Sequence, residues 1–336
     1  MPHKDTKITI LGDGGWGTAL SLLLADKGFE VALWGAFESY TQEMKKTREN
    51  TKFLPGFALP SRIRLESSIE KAAAFSDTIV LAAPSQYMRG VVRKLKSHDI
   101  RGKRFVSVAK GIETKTMLTM SGIIKEELGP RVPLAVLSGP TIAREVAAKN
   151  PGAVSLASKD KKLAAEIRKL FLTDYFTLFV TDDVIGVELG GSVKNVIAIG
   201  AGIVDGLGLG TNTQSVLFAR GVAEMARLGA KMGARRETFM GLSGLGDLAT
   251  TCLNRTSRNR SLGEGIGKGQ KLKHLLKSTE MVVEGVDTCV STYALAKKHK
   301  VAMPIVEAVY GILFKEQKPG DAVKALMWRE AHEERD

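Results

Sequence analysis

A glycine pattern near the start of the chain constrains the fold most. An apolar run at residues 8–11 leads into G-x-G-x-x-G over residues 12–17, and a helix-like run at 19–25 follows. This strand–turn–helix context is typical of a dinucleotide-binding fingerprint. The first glycine permits a tight turn, the second lets the backbone approach a pyrophosphate, and the third lets helix and strand pack closely. A glycine-rich turn without a ligand is the alternative, and a second strand-like run at 31–34 disfavours it.

The composition indicates an ordinary globular protein. The 336 residues are enough for two domains of roughly 150 residues each. The two cysteines, Cys252 and Cys289, form neither a disulfide framework nor a metal-ligand cluster, and they fit a reducing compartment. The polar first five residues predict no secretion signal, and charged residues interrupt the most apolar segment, 184–209. We therefore expect a cytoplasmic protein with no membrane span and no metal.

The chain is basic, with 49 Lys and Arg against 36 Asp and Glu and a net charge of +13. Such an excess suits nucleic acid, an anionic membrane surface or phosphorylated small molecules. The sequence has no block of like charges and no aromatic–basic interleaving, so a solvated basic surface is favoured over nucleic-acid binding. The excess positive charge would help to attract an anionic substrate.

The first half alternates strand-like and helix-like segments. The predicted strands are short and mostly continuously apolar, at residues 7–11, 31–34, 78–82, 104–108, 134–137, 153–157 and 176–180. Helical segments include 18–27, 37–48 and 161–172. This alternation predicts an α/β fold with a Rossmann-type, doubly wound, mostly parallel sheet.

The second half has a helical period almost throughout. Helices are predicted at 184–202, 213–232, 288–299 and 305–314, and residues 181–183 could cap the first of them. The predicted domains are therefore a dinucleotide-binding domain at 1–185 and an all-helical substrate-binding and catalytic domain at 186–336. The glycine-rich stretch 263–269 is predicted to be a mobile loop.

A pair of polar residues within an apolar helix is the sharpest chemical signal. Lys194 and Asn195 interrupt a run of small and apolar residues at 188–200. Lysine is rarely buried unless it is paired, and a buried lysine suits general acid–base chemistry. A lysine that extends to the surface is the alternative.

Other polar residues follow apolar segments or glycine-rich turns. Lys110 comes just after a strand, where a surface lysine is the simpler interpretation. Residues 137–141 form a strand, a turn and the start of a predicted helix at 141–148, which could bind an anion or simply be capped. Asp247 lies in a glycine-rich turn and could orient Lys194, while the cluster 257–260 (SRNR) offers donors that suit a phosphate.

Several of these segments occur together and in order: GDGGWGTAL, VAKGIE, LSGPTIA, GGSVKNVIAIGAGIVDGLGLG, GLSGLGDL and SRNR. With them the chain resembles the NAD(P)-dependent glycerol-3-phosphate dehydrogenases of the soluble bacterial type, over about residues 7–315. The resemblance implies reversible reduction of dihydroxyacetone phosphate to sn-glycerol 3-phosphate, which supplies phospholipid synthesis. It also implies a C-terminal domain like that of 6-phosphogluconate dehydrogenase and a possible homodimer.

The resemblance implies three sets of site residues. The catalytic set is Lys194, Asp247 and Lys110. The substrate set is Lys110, Gly139, Thr141, Lys194, Asn195, Asp247, Thr251, Ser257, Arg258 and Asn259. The cofactor set, which includes the fingerprint glycines, is Gly12, Gly14, Gly15, Trp16, Gly17, Lys110, Ala143, Arg258, Val282 and Glu284.

The preference between the two nicotinamide cofactors is open in the sequence. No basic residue stands at 35–36, and no acid ends the second predicted strand. The carboxylate typical of NAD enzymes is therefore not evident there. NADP(H) is favoured because no acid would repel its phosphate, and NAD(H) is possible. The other functional classes are a β-hydroxyacid or 6-phosphogluconate dehydrogenase and a dinucleotide sensor without catalysis. The 257–260 cluster favours the phosphorylated ketone over a hydroxyacid, and the combination of Lys194, Asp247 and Arg258 disfavours a sensor.

Overall fold

The computed structural model describes residues 6–279 and 281–328, which form two compact units. The first unit contains the chain up to Lys110 together with Leu118–Glu188, and the second contains Gly111–Met117 together with the chain from Leu189 onward. That residues 111–117 belong to the second unit, although the chain on either side of them belongs to the first, was not predicted. The functional division, with cofactor in one domain and substrate in the other, stays a prediction.

The first unit is built on an eight-stranded sheet and a separate hairpin. Its strands are β1 Lys7–Leu11, β2 Glu30–Trp34, β3 Glu49–Asn50, β4 Leu54–Ala58, β5 Ile63–Glu66, β6 Thr78–Leu81, β7 Arg104–Ser107, β8 Leu134–Ser138, β9 Gly152–Ala157 and β10 Phe176–Thr181. The sheet order is β10-β9-β8-β7-β6-β1-β2-β5, and β3 pairs with β4. Every neighbouring pair in the sheet is parallel except β8 with β9. The predicted Rossmann-type, mostly parallel sheet is confirmed.

Helices pack on this sheet and enclose two separate hydrophobic cores. They are α1 Gly15–Asp26, α2 Glu38–Thr47, α3 Ile69–Phe75, α4 Met88–Leu95, α5 Met120–Leu128, α6 Ala143–Ala147 and α7 Lys161–Phe171. Along β6, Val80 joins one core, whereas Ile79 and Leu81 join the other, because successive strand residues point to opposite faces. A strand covered on both faces must be apolar throughout, which is why these strands could be predicted.

All seven predicted strands are present, with ends that differ by at most one residue. The edge strand β5 was not predicted because its sequence, Ile-Arg-Leu-Glu, is short and alternates with charged residues. The β3–β4 hairpin was not predicted either, since β3 has two residues and β4 contains a Pro-Gly pair.

The second unit is built of helices joined by turns and loops in its described residues, as predicted. Its helices are α8 Val184–Gly206, α9 Thr211–Lys231, α10 Asp247–Leu253, α11 Arg258–Gly267, α12 Leu272–Lys277, α13 Glu284–His299, α14 Pro304–Phe314 and α15 Pro319–Trp328. The first residues of α8, 184–188, belong to the first unit. By length and composition α8 could cross a membrane, but 94% of its most apolar window is buried within the protein. This burial is the pattern of a core helix.

The predicted mobile loop at 263–269 is wrong, because residues 263–267 form the end of α11. A Cβ atom on Gly263 would lie closer than 3.0 Å to the carbonyl oxygen of Ile199 on α8. A Cβ on Gly202 of α8 would lie equally close to the carbonyl oxygen of Arg260. One turn further along, a Cβ on Gly206 or on Gly267 would likewise lie closer than 3.0 Å to a carbonyl oxygen of the other helix. These glycines therefore let two helix backbones touch, rather than breaking a helix.

Glu224 links the pH to the stability of the second unit. Its buried carboxylate accepts hydrogen bonds from the backbone N–H of Ile305, at 2.7 Å, and of Val306, at 3.3 Å, in the first turn of α14. Burial raises the pKa of Glu224 from 4.5 to about 7, and these hydrogen bonds oppose the rise. The folded state therefore holds this proton more tightly than the unfolded chain, so the group's contribution to stability falls as the pH rises from 4.5 to about 7.

We expect the Glu224→Gln variant to lack this dependence. Relative to wild type, its unfolding free energy should gain about 3 kcal/mol between pH 4.5 and pH 7. Urea unfolding of both proteins at several pH values measures this change. A difference between the two proteins that stays constant with pH would contradict the raised pKa.

Candidate active site

The fingerprint loop lies between the end of β1 and the start of α1. Gly12 has φ +128°, and a Cβ on it would lie 2.6 Å from the carbonyl carbon of Ala82. A Cβ on Gly17 would lie closer than 3.0 Å to the carbonyl oxygen of Gly12, so neither position has room for a side chain. A Cβ on Gly14 would meet nothing within 4 Å, and α1 begins at Gly15 without a side-chain cap or an acid in its first turn. These residues fit a pyrophosphate, since open space faces the N-terminus of a helix.

The hairpin supports this loop through Asn50, which is not among the predicted site residues. The Asn50 side-chain nitrogen donates to the backbone oxygen of Asp13 and to the hydroxyl of Thr18, each at 2.7 Å. The Tyr40 hydroxyl in turn donates to the Asn50 side-chain oxygen at 2.7 Å. Asn50 is fully buried, so this bridge holds the fingerprint loop in one conformation.

Trp16 belongs to the fingerprint, and Ala143 lies next to it. The ring of Trp16 packs at 6.4 Å from that of Phe176. A Cβ on Gly15 would contact the Ala143 side chain at 3.7 Å. The predicted helix at 141–148 is shorter than expected: α6 begins at Ala143, so Thr141 lies ahead of it, in the turn.

Lys110 is held at the carboxyl end of two adjacent strands. Because β7 and β8 run parallel side by side, the segments that follow them meet at one edge of the sheet. The Lys110 ammonium donates to the Gly139 carbonyl at 2.8 Å and to the Thr141 hydroxyl at 3.4 Å. A Cβ on Gly139 would lie 2.9 Å from the Cα of Val154, so the turn requires glycine. Lys110 is therefore an ordered cation within the first unit.

Lys194 is buried and paired in the second unit. Its Nζ lies 2.8 Å from Oδ1 of Asp247 and 2.5 Å from the hydroxyl of Thr251. The side chains of Lys194 and Asp247 are 7% and 2% exposed. The Thr251 hydroxyl also donates to the Asp247 backbone oxygen at 2.7 Å. Two fixed acceptors therefore orient the ammonium, which can donate a proton or stabilise negative charge.

The glycine-rich turn before Asp247 brings that carboxylate to the lysine. A Cβ on Gly190, one helical turn before Lys194 on α8, would lie 2.6 Å from the carbonyl oxygen of Ser243. The turn itself, Leu242–Gly246, is π-helical and leads directly into α10, whose first residue is Asp247. Such π-turns are frequent at functional sites. Gly190 on α8 thus leaves room for the backbone of this turn, while a Cβ on Gly244 within the turn would lie closer than 3.0 Å to the backbone of Phe239.

The N-terminus of α11 carries the predicted phosphate cluster. The side-chain amide of Asn259 donates to that of Asn195 at 2.8 Å and accepts from the backbone N–H of Gly285 at 3.0 Å. The Arg258 guanidinium donates to the Val282 carbonyl at 2.6 Å. This network places Asn195, the neighbour of Lys194, beside the first turn of α11. An exposed arginine and a helix N-terminus together favour an anion.

Further contacts fix α11 in place. Ser257 caps it by accepting a hydrogen bond from the backbone N–H of Arg260. The Arg260 guanidinium pairs with Asp205 of α8 at 2.5 Å. Glu284 stands in the first turn of α13, directly before Gly285. Arg260 belongs to the predicted 257–260 cluster, but its pairing with Asp205 was not predicted, because it depends on a helix contact that the sequence does not reveal.

The two cysteines lie in α10 and α13 as buried free thiols. Burial raises the pKa of Cys252 and of Cys289 to about 12, so both stay protonated at neutral pH. Residues 6–279 and 281–328 contain no cluster of three or more His, Cys, Asp or Glu able to hold a metal ion.

Each unit therefore gathers its own share of the predicted site residues. The first unit holds the fingerprint residues Gly12, Gly14, Gly15, Trp16 and Gly17 with Ala143, and separately Lys110 with Gly139 and Thr141. The second unit holds Lys194, Asn195, Asp247, Thr251, Ser257, Arg258, Asn259, Val282 and Glu284.

Comparison with known proteins assigns the chain to a family. Residues 7–164 match the family domain described as NAD-dependent glycerol-3-phosphate dehydrogenase N-terminus. Residues 183–324 match the corresponding C-terminus. The chain belongs to the NAD-dependent glycerol-3-phosphate dehydrogenase family. The family resemblance expected from the sequence motifs is thereby confirmed.

Other members of this glycerol-3-phosphate dehydrogenase family align over almost the whole chain. Glycerol-3-phosphate dehydrogenase [NAD(P)+] of Syntrophotalea carbinolica is 47% identical over 98% of this chain and 99% of its own length. The protein of the same name from Geobacter sulfurreducens is 46% identical, with the same coverage. The crystal structure of glycerol-3-phosphate dehydrogenase from Coxiella burnetii is 37% identical, with a TM-score of 0.94 over 97% of this chain and 100% of that one.

Proposed function

We propose that this chain catalyses the reversible NAD(P)H-dependent reduction of dihydroxyacetone phosphate to sn-glycerol 3-phosphate. Membership of the glycerol-3-phosphate dehydrogenase family supports the reaction. The structural observation that carries it is the buried ion pair of Lys194 with Asp247, linked through Asn195 to an anion-favouring helix end.

The fingerprint loop would hold the cofactor pyrophosphate at the N-terminus of α1, because Gly12, Gly14 and Gly17 leave space there. The other proposed cofactor contacts are Gly15, Trp16, Lys110, Ala143, Arg258, Val282 and Glu284. When bound, the reduced nicotinamide supplies a hydride to the ketone carbon of the substrate.

Lys194 is the proposed catalytic acid. As the new C–H bond forms, the carbonyl π electrons move to the oxygen, and the Lys194 ammonium donates a proton to it. Asp247 and Thr251 hold the ammonium in position through the contacts described above. In the reverse direction, the neutral amine accepts the hydroxyl proton.

The phosphate of the substrate is proposed to bind at the start of α11. Arg258 supplies the guanidinium, and Ser257, Asn259 and Asn195 add polar groups. Binding energy from this non-reacting phosphate would position the ketone carbon for hydride transfer. Lys110, with Gly139 and Thr141, is proposed as a second cation that orients the substrate carbonyl.

The reaction is tested by following nicotinamide absorbance with the purified protein. We expect rapid oxidation of a reduced cofactor with dihydroxyacetone phosphate and little with unphosphorylated dihydroxyacetone, because the latter lacks the phosphate anchor. Glycerol 3-phosphate should drive the reverse reaction. Cofactor reduction by 6-phosphogluconate or a β-hydroxyacid, without turnover of either phosphate ester, would overturn the proposal.

Four finer points belong to the same proposal. We infer a cytoplasmic enzyme that supplies phospholipid synthesis, and we infer a homodimer, both from the resemblance to the soluble bacterial type. Light scattering on the purified protein measures the oligomeric state directly. For the cofactor, the lack of an acid directly after β2 favours NADPH, whereas an acid brought there from elsewhere in the fold would favour NADH.

A further inference from the structure

The side chain of Asp13 lies at the end of β2. Asp13 is the second residue of the fingerprint, and its neighbour Gly12 donates a backbone hydrogen bond to Trp34, the last residue of β2, at 3.0 Å. The carboxylate turns toward the next residue, Gly35: a Cβ there would lie closer than 3.0 Å to Oδ2 of Asp13. Gly35 thus leaves room for a carboxylate that belongs to the preceding loop.

The buried oxygen of this carboxylate lacks a hydrogen-bond partner within the described residues. Within the described residues, Oδ2 of Asp13 is buried and has no hydrogen bond. The hydrogen bonds that Asn50 and Thr18 donate to Asp13 reach its backbone oxygen only. Burial raises the pKa of the Asp13 carboxyl, as expected for an acid without a countercharge. An unpaired buried oxygen is costly and calls for an explanation.

The guanidinium of Arg48 does not neutralise this position. Arg48 is the nearest arginine along the chain, and its guanidinium donates to the backbone oxygens of Leu59, Pro60 and Ile63. The carboxylate therefore adds negative charge to the end of β2. In dinucleotide-binding sheets this is where an acid accepts a hydrogen bond from the adenosine ribose, and where a basic residue receives the 2′-phosphate of NADP.

We propose that Asp13 sets the cofactor preference toward NADH. Its carboxylate, through the oxygen other than the enclosed Oδ2, accepts a hydrogen bond from a ribose hydroxyl of NADH and repels the 2′-phosphate of NADPH. The expectation of NADPH rests only on residues that follow β2 in the chain, whereas Asp13 reaches the same place from the loop after β1. This inference rests on the proposed function only in requiring that a nicotinamide cofactor binds the fingerprint.

The test is equilibrium binding of NADH and NADPH without substrate, measured by tryptophan fluorescence or calorimetry. Wild type should bind NADH more tightly than NADPH. In the Asp13→Asn variant the ratio of the two dissociation constants should shift toward NADPH by roughly tenfold, because a like-charge repulsion is removed. The matched control is Glu38→Gln, which removes an exposed acid in the first turn of α2 and should leave the ratio unchanged.

Salt separates a charge effect from a structural one. Rising ionic strength should bring the wild-type dissociation constants of NADH and NADPH closer together, because salt screens the repulsion between Asp13 and the 2′-phosphate. The ratio of the two constants should change less in Asp13→Asn, which lacks this repulsion. Asp13→Ser, with a smaller side chain, serves if the asparagine variant does not fold. A wild type that prefers NADPH, or an unchanged ratio in folded variants that bind both cofactors, would overturn the inference. Failure of wild type to bind either cofactor would instead contradict the proposed function.

Discussion

Replacing Lys194 by methionine is expected to lower kcat for dihydroxyacetone phosphate reduction about 10³-fold or more, with cofactor affinity nearly unchanged. The variant keeps the length of the side chain but removes the ammonium that would protonate the forming alkoxide. Steady-state kinetics and cofactor binding together measure this effect. The matched control is Lys268→Met, which removes a lysine that pairs with Glu264 on the surface of α11.

Folding must be separated from chemistry in this experiment. Lys194→Met leaves the buried carboxylate of Asp247 without its cation, and such an uncompensated charge destabilises a fold by several kcal/mol. The double variant Lys194→Met with Asp247→Asn removes both charges and should recover part of that stability without recovering activity. A single variant that retains more than a tenth of the wild-type kcat would rule out Lys194 as the catalytic acid.

Replacing Gly202 by alanine is expected to destabilise the second unit by about 3 kcal/mol. A Cβ at this position would lie closer than 3.0 Å to backbone atoms of α11, which have no flexible end to move aside. The two helices must separate, and the hydrogen bond between Asn195 and Asn259 should weaken. Urea unfolding measures the loss of stability, and a raised KM for dihydroxyacetone phosphate in the folded fraction reports the displaced helix end.

Gly200 provides the control on the same helix. A Cβ on Gly200 would meet side-chain atoms of Val309 and Leu217 at 3.5 to 3.7 Å, which is ordinary packing distance. Gly200→Ala should therefore be neutral or stabilise by up to about 1 kcal/mol, because alanine favours the helix. Equal effects of the two substitutions would show that helix propensity, and not the backbone contact, determines the cost.

The fold was predictable where one local property decides the structure. Continuous apolar runs such as β6 and β8 are buried on both faces, so their strands could be located almost to the residue. Edge elements carry no such requirement, and β5 and the β3–β4 hairpin were not predicted. The segment 263–269 was interpreted as a loop because glycine usually breaks helices. Whether a glycine breaks a helix or lets another helix approach depends on a partner distant in the chain.

The residues of the candidate site also fall into those that the sequence could predict and those that it could not. Lys194, Asp247 and the fingerprint glycines could be selected because each is unusual in its own segment. Asn50 and Asp13 could not, because their significance arises from contacts between β1, β2 and the hairpin. An acid searched for only after β2 is missed when the preceding loop supplies it. Pairing of strands in space, rather than order along the chain, determines which side chains share an edge.

The two buried cysteines can report transient opening of the second unit. Neither thiol is accessible while α10 and α13 remain packed, and with a pKa of about 12 neither ionises readily. An alkylating reagent should therefore modify them only during transient opening, at a rate set by the free energy of that opening. Cys252 adjoins Thr251, so a ligand that orders this region should slow its alkylation. Substrate occupancy can thus be followed by mass spectrometry without any turnover.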